Sequence, residues 1–151
     1  MTPDGTQVYV LDTDGIFAVI DTTTNAATFP FNNLTGQRMA FAGGGSHAYV
    51  ARDDTLISVL DTATKQVVNL VEVNGLATDV AVTPNGLHAY VTQRTRSRIS
   101  MIDTTTQAVT PTHVDFRGTA DGLAITPDGR RAYVANRTAH TVEVIAIPPV
   151  P

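Results

Sequence analysis

The chain has 151 residues, a formal net charge of -4 and no cysteine. This length suffices for a domain with its own hydrophobic core, and the lack of cysteine excludes a disulfide framework, a thiolate metal site and a cysteine nucleophile. Lys65 is the single lysine among the basic residues, so the sequence has no broad positive surface and a nucleic-acid partner is not expected.

The chain opens on the first copy of a repeat. A Thr-Pro-Asp-Gly sequence at residues 2–5 predicts a tight reversal, because Pro presets the first turn angle and Gly supplies a positive φ. A short strand around Tyr9 follows, and then a second apolar run that ends at Asp21. The same order recurs about every forty residues around Tyr49, Tyr90 and Tyr133.

The later copies keep these landmarks with a few substitutions. The reversal is Thr-Pro-Asn-Gly at 83–86 and Thr-Pro-Asp-Gly at 126–129, but Ala-Gly-Gly-Gly at 42–45. The second run ends at Asp61 and Asp103, with Ala146 in the fourth copy. Each Asp is predicted to accept hydrogen bonds from main-chain N–H groups two residues on. We expect one domain with repeats at about 1–38, 39–79, 80–122 and 123–151.

The runs between the turns indicate strands that are covered on both faces. Residues 132–135 read Ala-Tyr-Val-Ala, without the alternation of a sheet with one wet face, and no segment has a helical period. Short strands at a period of about forty residues are typical of blades packed around an axis. The predicted fold class is therefore an all-β propeller.

The repeat resembles the YVTN-type β-propeller family. The residues that carry this resemblance are Ala-Tyr-Val-Ala-Asn at 132–136 and Thr-Val-Glu-Val-Ile at 141–145, with Thr-Pro-Asp-Gly before them and Ile-Asp-Thr-Thr-Thr in earlier copies. The family includes surface-antigen-like proteins and resembles seven-bladed lactonases and streptogramin lyases. One propeller scaffold hosts binding, catalysis and assembly, so the resemblance leaves the function open.

The resemblance implies four strands per blade, A to D from the axis outward. It places strand A at 39–42, 80–83 and 123–126, with the Tyr-Val pairs in strand B. The tally is three A, four B, four C and three D strands, about three and a half blades. Prolines at 148, 149 and 151 replace the next reversal and cannot donate to a ladder. We expect the chain to complete a ring by self-association, most simply as a homodimer, or to be a piece of a longer product.

In propellers the D-to-A and B-to-C connections share one face around the channel mouth. Alignment of the A strands puts Arg38, Asp79 and Gly122 at one position, with Gln37, Thr78 and Asp121 just before it. The family usually has Gly at the position of Arg38, Asp79 and Gly122, so Arg38 and Asp79 are departures toward polar groups. They predict ligand binding or acid/base chemistry near the axis, or else loop polarity and an Arg–Asp pair between blades.

Arginines concentrate in the B-to-C loops. Arg94, Arg96 and Arg98 lie within five residues, and Arg52 and Arg137 occupy matching loops. Guanidinium groups match carboxylate and phosphate, so the loops predict a small anionic ligand or an acidic protein surface, or a solvated loop. The first copy has Asp12 and Asp14 there, and opposite charges on the two ends could steer assembly.

Further residues favour no metal and no cofactor. Asp12 and Asp14 lack the other ligands of a calcium loop. His47 and His88 sit beside turns on the opposite face, whereas His140 lies in a B-to-C loop and is a candidate base. No apolar run approaches the roughly twenty residues that span a bilayer, and no signal peptide is visible. We expect a soluble chain in an undetermined compartment, with export implied by the resemblance alone.

These observations favour a non-catalytic binding module that self-associates. The alternative is an enzyme of lyase, lactonase or cyclase type at the ring axis, with Asp79, Asp121 and His140 as catalytic candidates. The Glu and His chemistry of lyase-like relatives does not transfer readily, because Glu72 and Glu143 fall in predicted D and C strands.

Overall fold

The computed structural model describes residues 1–12, 14–32, 34–95, 98–111 and 118–148. Within these ranges the chain forms fourteen strands in four antiparallel sheets, which are the blades of a partial β-propeller. The predicted fold class and strand tally are confirmed. No helix in this part of the chain has the length and hydropathy needed to cross a bilayer.

We number the blades in chain order. Blade one contains β1 (Gln7–Leu11), β2 (Ile16–Asp21) and β3 (Ala27–Asn32). Blade two contains β4 (Arg38–Phe41), β5 (His47–Ala51), β6 (Leu56–Asp61) and β7 (Val67–Glu72). Blade three contains β8 (Ala77–Val82), β9 (His88–Gln93), β10 (Arg98–Asp103) and β11 (Val109–Pro111). Blade four contains β12 (Ala120–Ile125), β13 (Arg131–Asn136) and β14 (Thr141–Ala146).

The inner strands β4, β8 and β12 lie side by side, with β8 between the other two. They begin earlier than the sequence predicted: by one residue in β4 and by three in β8 and β12. In β8 and β12 the ladder continues past a register shift, so pairing extends beyond the point where the apolar run begins.

The predicted Asp turns are present and keep their carboxylates charged. Asp61 accepts hydrogen bonds from the N–H groups of Ala63 at 3.0 Å and Thr64 at 2.7 Å, and Asp21 and Asp103 do the same in their blades. Bonds from the main chain and from the threonine hydroxyl lower the pKa of all three carboxyl groups. The turns are therefore stabilised by the ionised form of Asp.

The core of the described part of the chain consists of three apolar clusters, each between two successive blades. We call the side of a blade that carries its repeat Tyr the tyrosine face, and the opposite side, which carries the following Val, the valine face. Between blades two and three, Tyr49 and Val59 of one tyrosine face pack with Ala89, Val91 and Ile102 of the next valine face. The other two clusters have the same composition by position. Burial between blades thus explains strands that are apolar on both sides.

Candidate functional site

Two kinds of connection meet on one face of the blades, which we call the rim. It contains the loops between the second and third strands of blades two to four, the matching loop between β1 and β2 of blade one, and the loops that lead into the inner strands. The N–H of Ala77 donates to Asp54 O at 2.8 Å, and the N–H of Arg94 donates to Leu76 O at 2.8 Å. Arg137 N–H donates in the same way to Thr119 O at 2.9 Å. These bonds hold the loops beside the inner strands.

Each inner strand of blades three and four carries a β-bulge next to the rim. The bulge in β8 is at Thr78 and the bulge in β12 is at Asp121. A bulge places two residues opposite one and re-aims their side chains, which is why bulges are frequent beside binding sites. The sequence placed both residues next to the channel mouth, but the bulges themselves were not predicted.

Thr78 is buried within the contact between blades three and four. Its hydroxyl donates to Ala120 O at 2.9 Å and lies 3.0 Å from Thr92 Oγ1. Only 4% of the residue is exposed. The side chain therefore joins two blades, and its predicted contact with a ligand stays a prediction.

Asp79 bridges the same two blades with both carboxylate oxygens. Oδ1 accepts a hydrogen bond from Val80 N–H at 2.8 Å, and Oδ2 accepts one from Leu123 N–H at 2.9 Å. Burial raises the pKa of Asp79, while the Leu123 and Val80 N–H groups and the charge of Arg38 act in the opposite direction. The carboxylate thus serves as an acceptor for the inner edge of β12.

The remaining candidate acid, Asp121, is paired with an arginine of its own blade. Arg137 Nη1 lies 3.3 Å from Asp121 Oδ2. The Arg137 side chain is 72% exposed, so the guanidinium keeps most of its donors toward solvent. An isolated pair of this kind contributes little to stability.

Arg38 lies at an open groove between blades one and two. The groove has a volume of about 540 Å³ and is lined by Leu11, Asp12, Gly36, Gln37 and Arg38. Arg38 is exposed, and its Nη1 donates to Gln37 O at 3.2 Å. Gln37 is exposed as well. The structure therefore brings two predicted ligand-binding residues together at one concave surface.

Acidic residues that were not predicted as part of the site neutralise part of the positive charge of the rim. Arg94 Nη2 lies 3.5 Å from Asp53 Oδ1, and Arg52 Nε lies 3.2 Å from Asp54 Oδ2. The sequence Arg-Asp-Asp at 52–54 could have indicated these ion pairs. Arg98 begins β10 with an exposed side chain, and the predicted Arg96 lies outside the described residues.

His140 and Asp12 occupy turns. His140 is exposed in the loop between β13 and β14, with a left-handed φ of 54°. Asp12 Oδ1 accepts the N–H groups of Asp14 at 3.0 Å and Ile16 at 2.8 Å, as a turn requires. Among the described residues, no group of three His, Asp or Glu side chains could hold a metal ion.

The four blades and their rim define a partial β-propeller. The chain belongs to the family described as "Lactonase, 7-bladed beta-propeller", whose model matches residues 1–150. No curated protein is similar enough in sequence to count as a relative.

Solved structures show the same fold. Hydrazine synthase of Kuenenia stuttgartiensis aligns with a TM-score of 0.85 at 22% identity, over 97% of this chain and 44% of that one. Dihydro-heme d1 dehydrogenase NirN, in a complex with DHE, aligns with a TM-score of 0.74 at 19% identity, over 97% of this chain and 34% of that one. The chain thus spans less than half of either structure, and at these identities the likeness concerns the fold alone.

Proposed function

We propose that the chain is a non-catalytic binding module: a YVTN-type partial β-propeller that completes its ring by self-association and binds a small anion at its rim. The observation that carries the proposal is the unequal use of the rim's charged groups. Asp79 is bound by two main-chain N–H groups and Asp121 by Arg137, whereas the Arg38 guanidinium borders an open groove.

This arrangement suits recognition better than proton transfer. A general acid or base must reach the substrate, whereas Asp79 is only 9% exposed and each of its oxygens accepts a main-chain hydrogen bond, so little of the carboxylate is accessible. A guanidinium at the edge of a groove offers paired donors that match a carboxylate or a phosphate. Gln37 adds an amide that can donate or accept beside it.

Calorimetric titration with citrate and with inorganic phosphate at low salt tests this proposal. Loss of a charged hydrogen-bonding partner in Arg38→Gln should weaken binding about tenfold. Arg131→Gln is the matched control. Arg131 is also an exposed arginine, but it lies at the start of β13, next to the Thr126–Gly129 turn and at the end of the strand away from the rim. The proposal would be overturned if neither citrate nor phosphate bound, or if both variants lost affinity to the same extent.

Membership in a lactonase family supports a second candidate, the hydrolysis of a lactone at the axis of the completed ring. Asp79, Asp121 and His140 are the candidate catalytic groups for that chemistry. Release of acid from a simple γ-lactone, followed in a pH-stat, measures it directly. Turnover that disappears in both Asp79→Asn and His140→Gln, with unchanged folding by circular dichroism, would favour this candidate over the binding module.

A further inference from the structure

The tyrosine face of blade four is open. Tyr133 is 39% exposed, and Val142 and Val144 on the next strand are 62% and 57% exposed. Register places the three side chains on one side of the sheet, because Tyr133 pairs with Val144 and Ala135 pairs with Val142. Blade four therefore presents a contiguous apolar face to solvent.

The same positions are covered in the three preceding blades. The residues equivalent to Tyr133 are Tyr9, Tyr49 and Tyr90, and none is more than 9% exposed. Those equivalent to Val142 are Phe17, Ile57 and Ile99, which are almost completely buried. In each case the cover is the valine face of the following blade. The open face thus has the chemistry of a blade interface without its second half.

The valine face of blade one is exposed to solvent as well. Val10 and Ile16 are 43% and 44% exposed, and Val8, Ala18 and Ile20 are partly exposed on the same side. The residues equivalent to Val10 in blades two to four are Val50, Val91 and Val134, all fully buried. Blade one therefore carries the half of the interface that blade four lacks.

From this match we infer that a second copy of the chain docks head to tail, with the valine face of its blade one on the tyrosine face of blade four. The inference rests on the self-association in the proposed function and specifies its interface. All three internal contacts join a tyrosine face to a valine face. Two copies related in this way use both open faces at two equal seams, as in a closed ring.

Charge at the rim supports the same direction of docking. Within the chain, Asp53 of one blade pairs with Arg94 in the corresponding loop of the next. At the seam the charges are opposite again but in reversed order: blade four carries Arg137, which pairs with Asp121 yet is 72% exposed, and blade one carries the exposed Asp14. Opposite charges in neighbouring loops favour this partner order and raise the rate of association.

Cysteine crosslinking tests the geometry, because the chain has no cysteine of its own. The internal equivalents of Val10 and Val144 pack in one cluster at every blade contact: Val50 with Val19, Val91 with Val59, and Val134 with Met101. A mixture of Val10→Cys and Val144→Cys should therefore form a covalent two-chain product under mild oxidation. Neither variant alone should form it.

Val68→Cys provides the matched control, since Val68 is 54% exposed on the outer strand β7 and away from both open faces. Mixed with Val10→Cys, it should give no product. Crosslinking by Val144→Cys alone would show two tyrosine faces in contact and overturn the head-to-tail arrangement. Lack of product in the Val10/Val144 mixture would overturn it too. If sedimentation then shows dimers, self-association survives with another interface; if it shows monomers, self-association fails as well.

Discussion

Substitution of Gly86 by Ala should destabilise the chain much more than the same change at Gly5. Both glycines close the same turn of the repeat, with φ of 74° and 73°. A Cβ on Gly86 would lie 2.5 Å from the Cα and the N of Gly43 in the neighbouring blade, whereas a Cβ on Gly5 would have nothing within 4 Å. The pair of variants separates backbone strain from steric conflict between blades.

The expected magnitudes follow from these two contributions. An L-residue in left-handed conformation costs roughly 1–2 kcal/mol, which is the whole effect expected for Gly5→Ala. Forcing a methyl group against main-chain atoms that cannot rotate away adds about 1–3 kcal/mol, the usual cost of overpacking. Gly86→Ala should therefore lower the free energy of unfolding by about 2–5 kcal/mol.

Urea unfolding followed by circular dichroism measures both values, with a common slope as the sign that the unfolded states are comparable. Gly129→Ala is a second control with the same backbone, because its nearest neighbour is a Pro84 side-chain atom at 3.4 Å, an ordinary contact. Equal losses in Gly86→Ala and Gly5→Ala would refute the close packing of main chain between blades two and three.

Two further predictions concern the turns and the core. Because the pKa of Asp103 is lowered in the folded chain, its contribution is full above the unfolded value near 3.8 and is lost as pH falls through the folded value. Asp103→Asn keeps an acceptor but removes this titration, so its melting temperature should fall less than that of the parent chain between about pH 5 and about pH 2.5; parallel curves would contradict the assignment. Tyr49→Ala should lower the free energy of unfolding in urea by about 3–5 kcal/mol, because the Tyr49 side chain is only 1% exposed. Phe29→Ala is the control: Phe29 is 64% exposed, so its loss should change the free energy of unfolding by no more than about 0.5 kcal/mol. Similar losses in the two variants would show that the contact between blades is not the core.

The repeat made most of the fold predictable. Tyr residues at a constant spacing, the Pro-Asp-Gly reversals and the Asp turns are local signals, and each has a local cause in turn geometry or main-chain hydrogen bonding. Together with the four strands per blade that the family resemblance implies, they were enough for the number and order of strands. The bulges at Thr78 and Asp121 were not visible, because a register shift depends on the partner strand and not on the strand's own composition.

The candidate site was predictable only in part. The aligned position that contains Arg38 and Asp79 was found correctly as a feature of the inner strands. The different roles of the two side chains were not predictable. Asp79 accepts a hydrogen bond from the N–H of Leu123 in the next blade, whereas Arg38 borders an open groove. The exposure of Tyr133 was likewise hidden, because its neighbours in sequence are the same as those of the buried Tyr49. Contacts between blades decide both cases.

Sedimentation velocity at micromolar concentration tests the central claim most directly, namely that the open faces of blades one and four bind each other in two copies. A single species with twice the mass of one chain, converted to monomer by Tyr133→Asp but not by Phe29→Asp, is the predicted result. A parent chain that sediments as a monomer, or a dimer that persists in Tyr133→Asp, would contradict the account.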